Sequence, residues 1–316
     1  MNPPLVSILI PCHNAAPWLA QTLESALGQT WPHQEIIVVD DGSSDSSQAI
    51  ARGFEARGVK VVVQANRGAA TARNHALQHA QGEFIQFLDA DDLISPDKIS
   101  AQANLLAIRP PGTVASCAWG RFTDDPEMAT FVDDEVCHDF APIDFLILAA
   151  GTGAMMHPSA WLVPRAVAER AGPWDESLTL NDDGEYFCRV LLASQGLAFT
   201  PGARSYYRSG LPGSLSRRRD ERSRQSLFHS LERIEQSLRA HEDSPRARRA
   251  AANHYQRFLH EFFPFPRELM HVARQRIIAL GGADFSKPAM GPRTAALARF
   301  VGWKNVWRIK YWLCRR

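Results

Sequence analysis

Four short runs, LVSILI (residues 5–10), EIIVVD (35–40), VKVVV (59–63) and EFIQFL (83–88), are rich in branched and apolar side chains and show little polar alternation. A strand buried on both faces reads this way, and parallel strands need a long crossover between them. The intervening stretches supply one each time. Helices are expected over residues 17–28, from the DGSSD turn to Phe54, and from Gly68 through GAATARNHALQHA. Strand and helix in alternation predict a parallel, doubly wound α/β sheet over roughly the first 120 residues. Pro11 is expected to close the first strand, because proline cannot donate to a ladder.

Beyond that point the pattern fades. DDPEMATFVDDE (124–135) reads as an exposed loop, a helix is expected from Asp182 to Ser194, and ARSYYR (203–208) reads as a late strand. The remainder is helical, with segments expected over 221–241, 245–262, 266–280 and 293–313. Charge divides the chain at the same place. Residues 1–216 hold 13 Lys and Arg against 25 Asp and Glu, net −12, whereas residues 217–316 hold 22 against 9, net +13. Two domains are therefore expected, 1–216 and a basic α-helical 217–316. A basic region of this kind meets phosphate, nucleic acid or an anionic membrane. In the last segment Leu297, Phe300, Trp303, Trp307 and Tyr311 recur at helical spacing, with Arg299, Lys304, Arg308 and Lys310 between them. Such a helix either lies in a membrane interface or packs its stripe on the catalytic domain or on a second copy of the chain.

No run approaches the ~18 apolar residues of a membrane span, and Met1 leads into the first strand without a basic, cleavable leader. The five cysteines are odd in number and have no zinc-binding spacing. A cytoplasmic chain is expected, either free or peripheral on the inner face of the cell membrane.

Ligands of open parallel sheets bind beyond the carboxyl ends of the strands. Here those ends are acidic: Asp40 and Asp41 after the second strand, and Asp89, Asp91 and Asp92 after the fourth. Clustered carboxylates at a sheet mouth repel one another unless a cation joins them, and Mg2+ or Mn2+ takes such oxygen ligands together with substrate phosphates. Asp is equally favoured in turns and at helix N-caps, so the Asp-x-Asp tripeptide alone does not decide.

VSILIPCHN, EIIVVDDGSSD, NRGAATARNHAL with GEFIQFLDADD, and NDDGEYFCR, in that order, resemble the family 2 glycosyltransferases over about residues 5–210. These are inverting enzymes with the A-type glycosyltransferase fold, a Rossmann-like doubly wound mixed sheet. The resemblance implies that Pro11, His13 and Asn14 line a nucleotide pocket, His13 standing where an aromatic ring would stack on uracil. It implies that Asp41, with Asp40 beside it, reads the nucleobase; the same segment also reads as an Asx-type turn in which Ser43, Ser44 or Asp45 caps the next helix. Arg73 either approaches the nucleotide or pairs with Asp89 or Asp91. Asp89 and Asp91 match the metal-binding motif, Asp91 coordinating and Asp89 facing the donor; Asp92 either coordinates or caps the following turn. Asp183, six residues ahead of Arg189, matches the catalytic base, with Asp182 next in line. Asp182 with Glu185 also reads as a capping box. GTGAMMHPSAWLVPR resembles an acceptor-side strand, and Trp174 and Asp175 either line an acceptor pocket or belong to the core. YYRSGLPGSLS resembles a loop that closes over the diphosphate, with Arg208 as a phosphate ligand. SRRRDERSR reads as a solvated helix start.

The implied activity is metal-assisted single displacement. A sugar passes from a nucleoside-diphosphate donor, UDP favoured, to a hydroxyl of a glycan or lipid-linked acceptor. A sugar-phosphate nucleotidyltransferase would need a Gly-rich, basic loop after the first strand, where this chain has PCHNAAPW. A nucleic-acid or membrane-binding adaptor would use the basic half, but no recognised nucleic-acid module appears, so no nucleic-acid partner is expected. A dehydrogenase would need G-x-G-x-x-G after the first strand.

Overall fold

The computed structural model describes residues 3–131, 135–211, 220–264, 267–288, 290, 292–306 and 308. In chain order these form β1 (Val6–Cys12), α1 (Leu19–Leu27), β2 (Gln34–Asp41), α2 (Ser47–Gly53), β3 (Val59–Gln64), α3 (Ala69–His79), β4 (Phe84–Phe87), β5 (Leu93–Ile94) and α4 (Lys98–Ala107). There follow β6 (Thr113–Phe122), β7 (Thr130–Phe131), α5 (Pro142–Thr152), β8 (Val163–Pro164), α6 (Arg165–Ala171), α7 (Asp182–Ala193) and β9 (Gly196–Arg208). The last four helices are α8 (Glu221–His241), α9 (Pro245–Phe262), α10 (Arg267–Ala279) and α11 (Pro292–Val301).

The chain divides into two compact units, residues 1–145 with 154–218, and residues 146–153 with 219–316. The first holds two sheets. One has the order β3-β2-β1-β4-β8, with β1 to β4 parallel and β8 antiparallel at the edge. Its centre is apolar: Ile8, Leu9, Ile10, Ile37 and Val38 are fully buried, each contributing about 1.5–3 kcal/mol. Pro11 does not end β1, which runs on to Cys12. The ladder to β4 stops at Leu9 opposite Phe87, so Pro11 sits where β1 has lost one neighbour and a missing N–H costs least.

The second sheet, β5-β9-β6-β7, was only partly foreseen. The late strand begins at Gly196, not residue 203, and pairs in parallel with β6, whose TVASCAWGRF carries too many small residues to read as a buried strand. α5 was not foreseen either. The acidic stretch contains a single turn at Pro126–Met128, capped by Asp125, and β7; residues 132–134 lie outside the described residues.

In the second unit, α8 and α9 begin where their caps dictate. Asp220 accepts from Ser223 N at 2.8 Å and Ser244 from Ala247 N at 3.3 Å. Glu235, buried between them, accepts from Tyr255 Oη at 2.8 Å and Arg239 at 3.1 Å. A cavity of about 520 Å³, lined by Arg257, His260, Phe285 and Lys287 among others, also lies in this unit. The single amphipathic helix expected over 293–313 is corrected: α11 stops at Val301, and Gly302 turns at φ +77°, a conformation that suits glycine. Trp303 then packs on His260 and Phe263, while Leu297 and Phe300 stay exposed. Trp307, Lys310, Tyr311 and Cys314, residues 212–216 of the expected closing loop and 216–219 of SRRRDERSR lie outside the described residues. Among the described residues no helix is long and apolar enough to cross a membrane.

Gly82 lets the chain enter β4 against β1. A Cβ there would stand 2.6 Å from Ser7 N and 2.7 Å from Leu5 O, both backbone atoms. Its own N–H donates to Ser7 Oγ at 2.8 Å, and Ser7 Oγ donates to Glu35 at 2.6 Å. Gly82→Ala is therefore expected to destabilise by roughly 1–3 kcal/mol, read as a lower urea midpoint with an unchanged m-value.

Candidate active site

The connections from β1 and β4, neighbours in the sheet, run to opposite sides, since β2 and β3 lie on one flank of β1 and β4 on the other. That reversal opens a crevice beyond their carboxyl ends. Pro11 is buried there, and His13 and Asn14 are exposed. Asn14 adopts φ +51°, and its Oδ1 accepts from Ser44 N at 2.8 Å and Asp45 N at 3.3 Å. His13 Nδ1 lies 2.9 Å from Asp41 O. Both Asp41 oxygens are engaged, accepting from Arg67 N and Gly68 N at 2.8 Å and from Gln64 at 2.7 Å. Asp40 accepts from Ser43 N at 3.2 Å, while its Oδ1 is buried without a hydrogen bond. Asp45, not Ser43 or Ser44, secures the start of α2, accepting from Ser47 N at 2.9 Å.

The fourth strand and α7 are brought together by aromatic packing. Phe87, the last residue of β4, meets Trp174, Tyr186 and Phe187 edge-on at 5.1, 5.7 and 6.5 Å. Trp174 stacks on Tyr186 at 4.1 Å and is 1% exposed, so it is a core residue and not a lining one. This packing sets Asp182 and Asp183, at the start of α7, beside Asp89. Arg73 ties the two ends: Nη2 donates to Asp89 and Nη1 to Asp182, both at 2.8 Å, over the face of Trp174 at 4.5 Å. Arg73 is 6% exposed, and breaking a buried pair of this kind costs about 3–5 kcal/mol.

The capping box expected of Asp182 and Glu185 is absent. Asp182 is engaged by Arg73, Glu185 by Arg189 at 2.7 Å, and the cap position falls to Asn181 at φ +60°. Guanidinium groups, that of Arg73 from α3 and that of Arg189 one turn further along α7, outcompete the local backbone for these carboxylates. Asp183 is partly exposed and accepts from Gly184 N at 2.9 Å. Burial and the neighbouring Asp182 push its carboxyl above the ordinary range, against the pull of Arg73.

Asp91 has no ion pair among the described residues. Burial, Asp92 and Asp89 push its carboxyl up to about 8. A cation would relieve that penalty, and an all-oxygen donor set suits Mg2+ or Mn2+, so the residues fit such an ion. No three His, Cys, Asp or Glu side chains converge as a ready cage among the described residues. Asp92 is buried, with Oδ1 accepting from Arg208 N at 2.8 Å. The Arg208 side chain is spent on three separate elements: Nε donates to Asp91 O at 2.8 Å in the loop, Nη1 to Thr123 O at 2.9 Å after β6, and Nη2 to Gln21 on α1 at 2.5 Å. His157, which the sequence reading passed over, lies with Nδ1 3.3 Å from Asp92 Oδ2; burial keeps its imidazole neutral, pushed down to about 4. Its one signal was a polar ring inside the apolar run AMMHPSAWL, just ahead of the short strand Val163–Pro164.

The family model described as Glycosyl transferase family 2 matches residues 7–141. A putative teichuronic acid biosynthesis glycosyltransferase, TuaG of Bacillus subtilis, is 38% identical over 149 residues, 46% of this chain and 53% of that protein. An uncharacterized glycosyltransferase of Rickettsia typhi is 29% identical over 192 residues, 60% of each chain. The chain thus spans about half to three fifths of the length of these relatives. S. aureus TarS in complex with UDP-GlcNAc superposes with a TM-score of 0.61 at 17% identity, covering 87% of this chain and 88% of that one. Mannosyltransferase PcManGT from Pyrobaculum calidifontis, in complex with GDP-Man and Mn2+, does so at 0.56 and 18%, covering 97% and 84%. At such identities these two speak for the fold. Residues 7–141 of this chain thus match the glycosyl transferase family 2 model, and the fold is the A-type glycosyltransferase fold of these solved structures.

Proposed function

We propose that this chain transfers a sugar from a nucleoside-diphosphate donor to a hydroxyl of a glycan or lipid-linked acceptor, with inversion at the anomeric carbon. The observation that carries the reading is the Arg73 bridge between Asp89 and Asp182, which puts the strand-end carboxylates and the α7 carboxylates in one site. In a single displacement the acceptor oxygen attacks the anomeric carbon, the bond from that carbon to the diphosphate oxygen breaks, and the hydroxyl proton passes to a carboxylate. Asp183 is that base, and Asp182, held by Arg73, is its support. The segment Pro11, His13, Asn14 with Asp40 and Asp41 forms the nucleotide side; UDP is favoured, in keeping with the UDP-GlcNAc bound by TarS. Mg2+ or Mn2+ held by Asp91 with Asp89 would supply Lewis-acid neutralisation of the departing diphosphate. Asp92 and Arg208 brace that loop.

Asp183→Asn should lower kcat by at least ~100-fold, the typical contribution of a general base, while nucleotide affinity stays within about twofold by calorimetry. Loss of nucleotide binding as well would assign Asp183 a structural role. Because the base works ionised and its carboxyl is raised, activity is expected to fall as pH drops through a midpoint above the ordinary carboxylate range. A kcat profile flat down to the ordinary range would count against the assignment. Asp91→Ala should abolish the gain in UDP affinity on adding Mn2+, with binding in chelator unchanged. If the acceptor is lipid-linked, the exposed Leu297 and Phe300 offer apolar contact with a bilayer. Flotation with anionic liposomes should then be lost in Phe300→Ser.

A further inference from the structure

Asp92 differs from the carboxylates beside it. It is 1% exposed, and its Oδ1 is taken by Arg208 N at 2.8 Å. Its Oδ2 makes no hydrogen bond and faces His157 Nδ1 at 3.3 Å. On the far side His157 Nε2 lies 2.7 Å from Ser205 Oγ, and Ser159 Oγ lies 2.9 Å from both His157 Nδ1 and Ser205 Oγ. The rings of Trp119 and Tyr207 pack against the imidazole at 5.3 and 5.5 Å. Ser159 and Ser205 are fully buried. The order serine, histidine, aspartate is that of a hydrolase triad, but a serine at 0% exposure meets no substrate, so the arrangement supports rather than attacks.

Resting on the proposed donor site, we infer that His157 is a positioning residue: with Ser205 on β9 it steers Asp92, and through the Asp92 tie it sets where Asp91 presents its carboxylate to a divalent ion and the donor diphosphate. Two ties from β9 then act on one loop. Arg208 grips the Asp91 carbonyl with its side chain and the Asp92 Oδ1 with its main-chain N–H, and Ser205 acts on the Asp92 side chain through the imidazole. Imidazole suits this place because it engages partners on two sides at once, and the packed rings allow it little rotation.

The test titrates Mn2+ at fixed UDP, using calorimetry on the full chain, and compares wild type with His157→Leu, His157→Asn and Ser205→Ala. His157→Leu is expected to raise the Mn2+ concentration for half-maximal UDP binding by about 10–100-fold, the usual cost of losing an outer-shell partner. UDP affinity in chelator should not move. His157→Asn, which keeps a donor, should recover part of the loss, and Ser205→Ala should shift the midpoint in the same direction by less. A purely structural role would instead lower the melting temperature and weaken binding equally with and without metal. Folded His157→Leu with a wild-type Mn2+ midpoint overturns the inference. If His157→Leu fails to fold, Ser205→Ala decides, and an unshifted midpoint there overturns it. Wild type that gains nothing from Mn2+ would sink the donor-site reading itself, a different outcome from the variants matching a responsive wild type.

Discussion

One buried guanidinium organises the first unit. Arg73 leaves α3 and holds Asp89 from the end of β4 and Asp182 from the start of α7, three elements far apart in the chain. Taking a charge out of water is unfavourable unless its partners are equally well placed, and here the placement is provided by Phe87, Trp174, Tyr186 and Phe187 packed beneath. The aromatic cluster and the ion pair depend on each other: the rings bring the carboxylates close, and the arginine makes that closeness tolerable.

Asp89 and Asp182 have this partner, whereas Asp91 has none among the described residues, and Asp92 is bound to the β9 main chain. Acidic residues that look equivalent in DADD therefore have separate tasks, and the loop exposes one chiefly unsatisfied carboxylate. The same economy appears at the second strand, where Asp41 is saturated by the 64–68 segment while Asp40 keeps a buried oxygen without a hydrogen bond.

Much of the sheet was legible because strands buried on both faces declare themselves as branched runs; β1 to β4 lie within a residue or two of where those runs stand. α8 and α9 were equally legible, since Asp220, Ser244 and Pro245 mark their starts. β6 escaped because Ala115, Ser116, Cys117 and Ala118 are small and carry little strand signal, although the first three are buried in the strand that pairs with β9. At the site, residue types were readable but partners were not. Asp182, read as the second candidate base or a helix cap, pairs with an arginine; Arg208, read as a phosphate ligand, has its side chain turned on nearby carbonyls. Those choices are made by residues about a hundred positions away, which no local pattern contains.

The carboxylate loop is also the joint between the two sheets, for β4 ends at Phe87 in one and β5 begins at Leu93 in the other. Of the crossings between the two sheets this is the shortest, five residues, so shear between them reaches the acids directly. The spacing of the acids is thus geared to the seating of β9 on β6, and a lineage that reshapes the second sheet re-spaces these carboxylates in the same stroke.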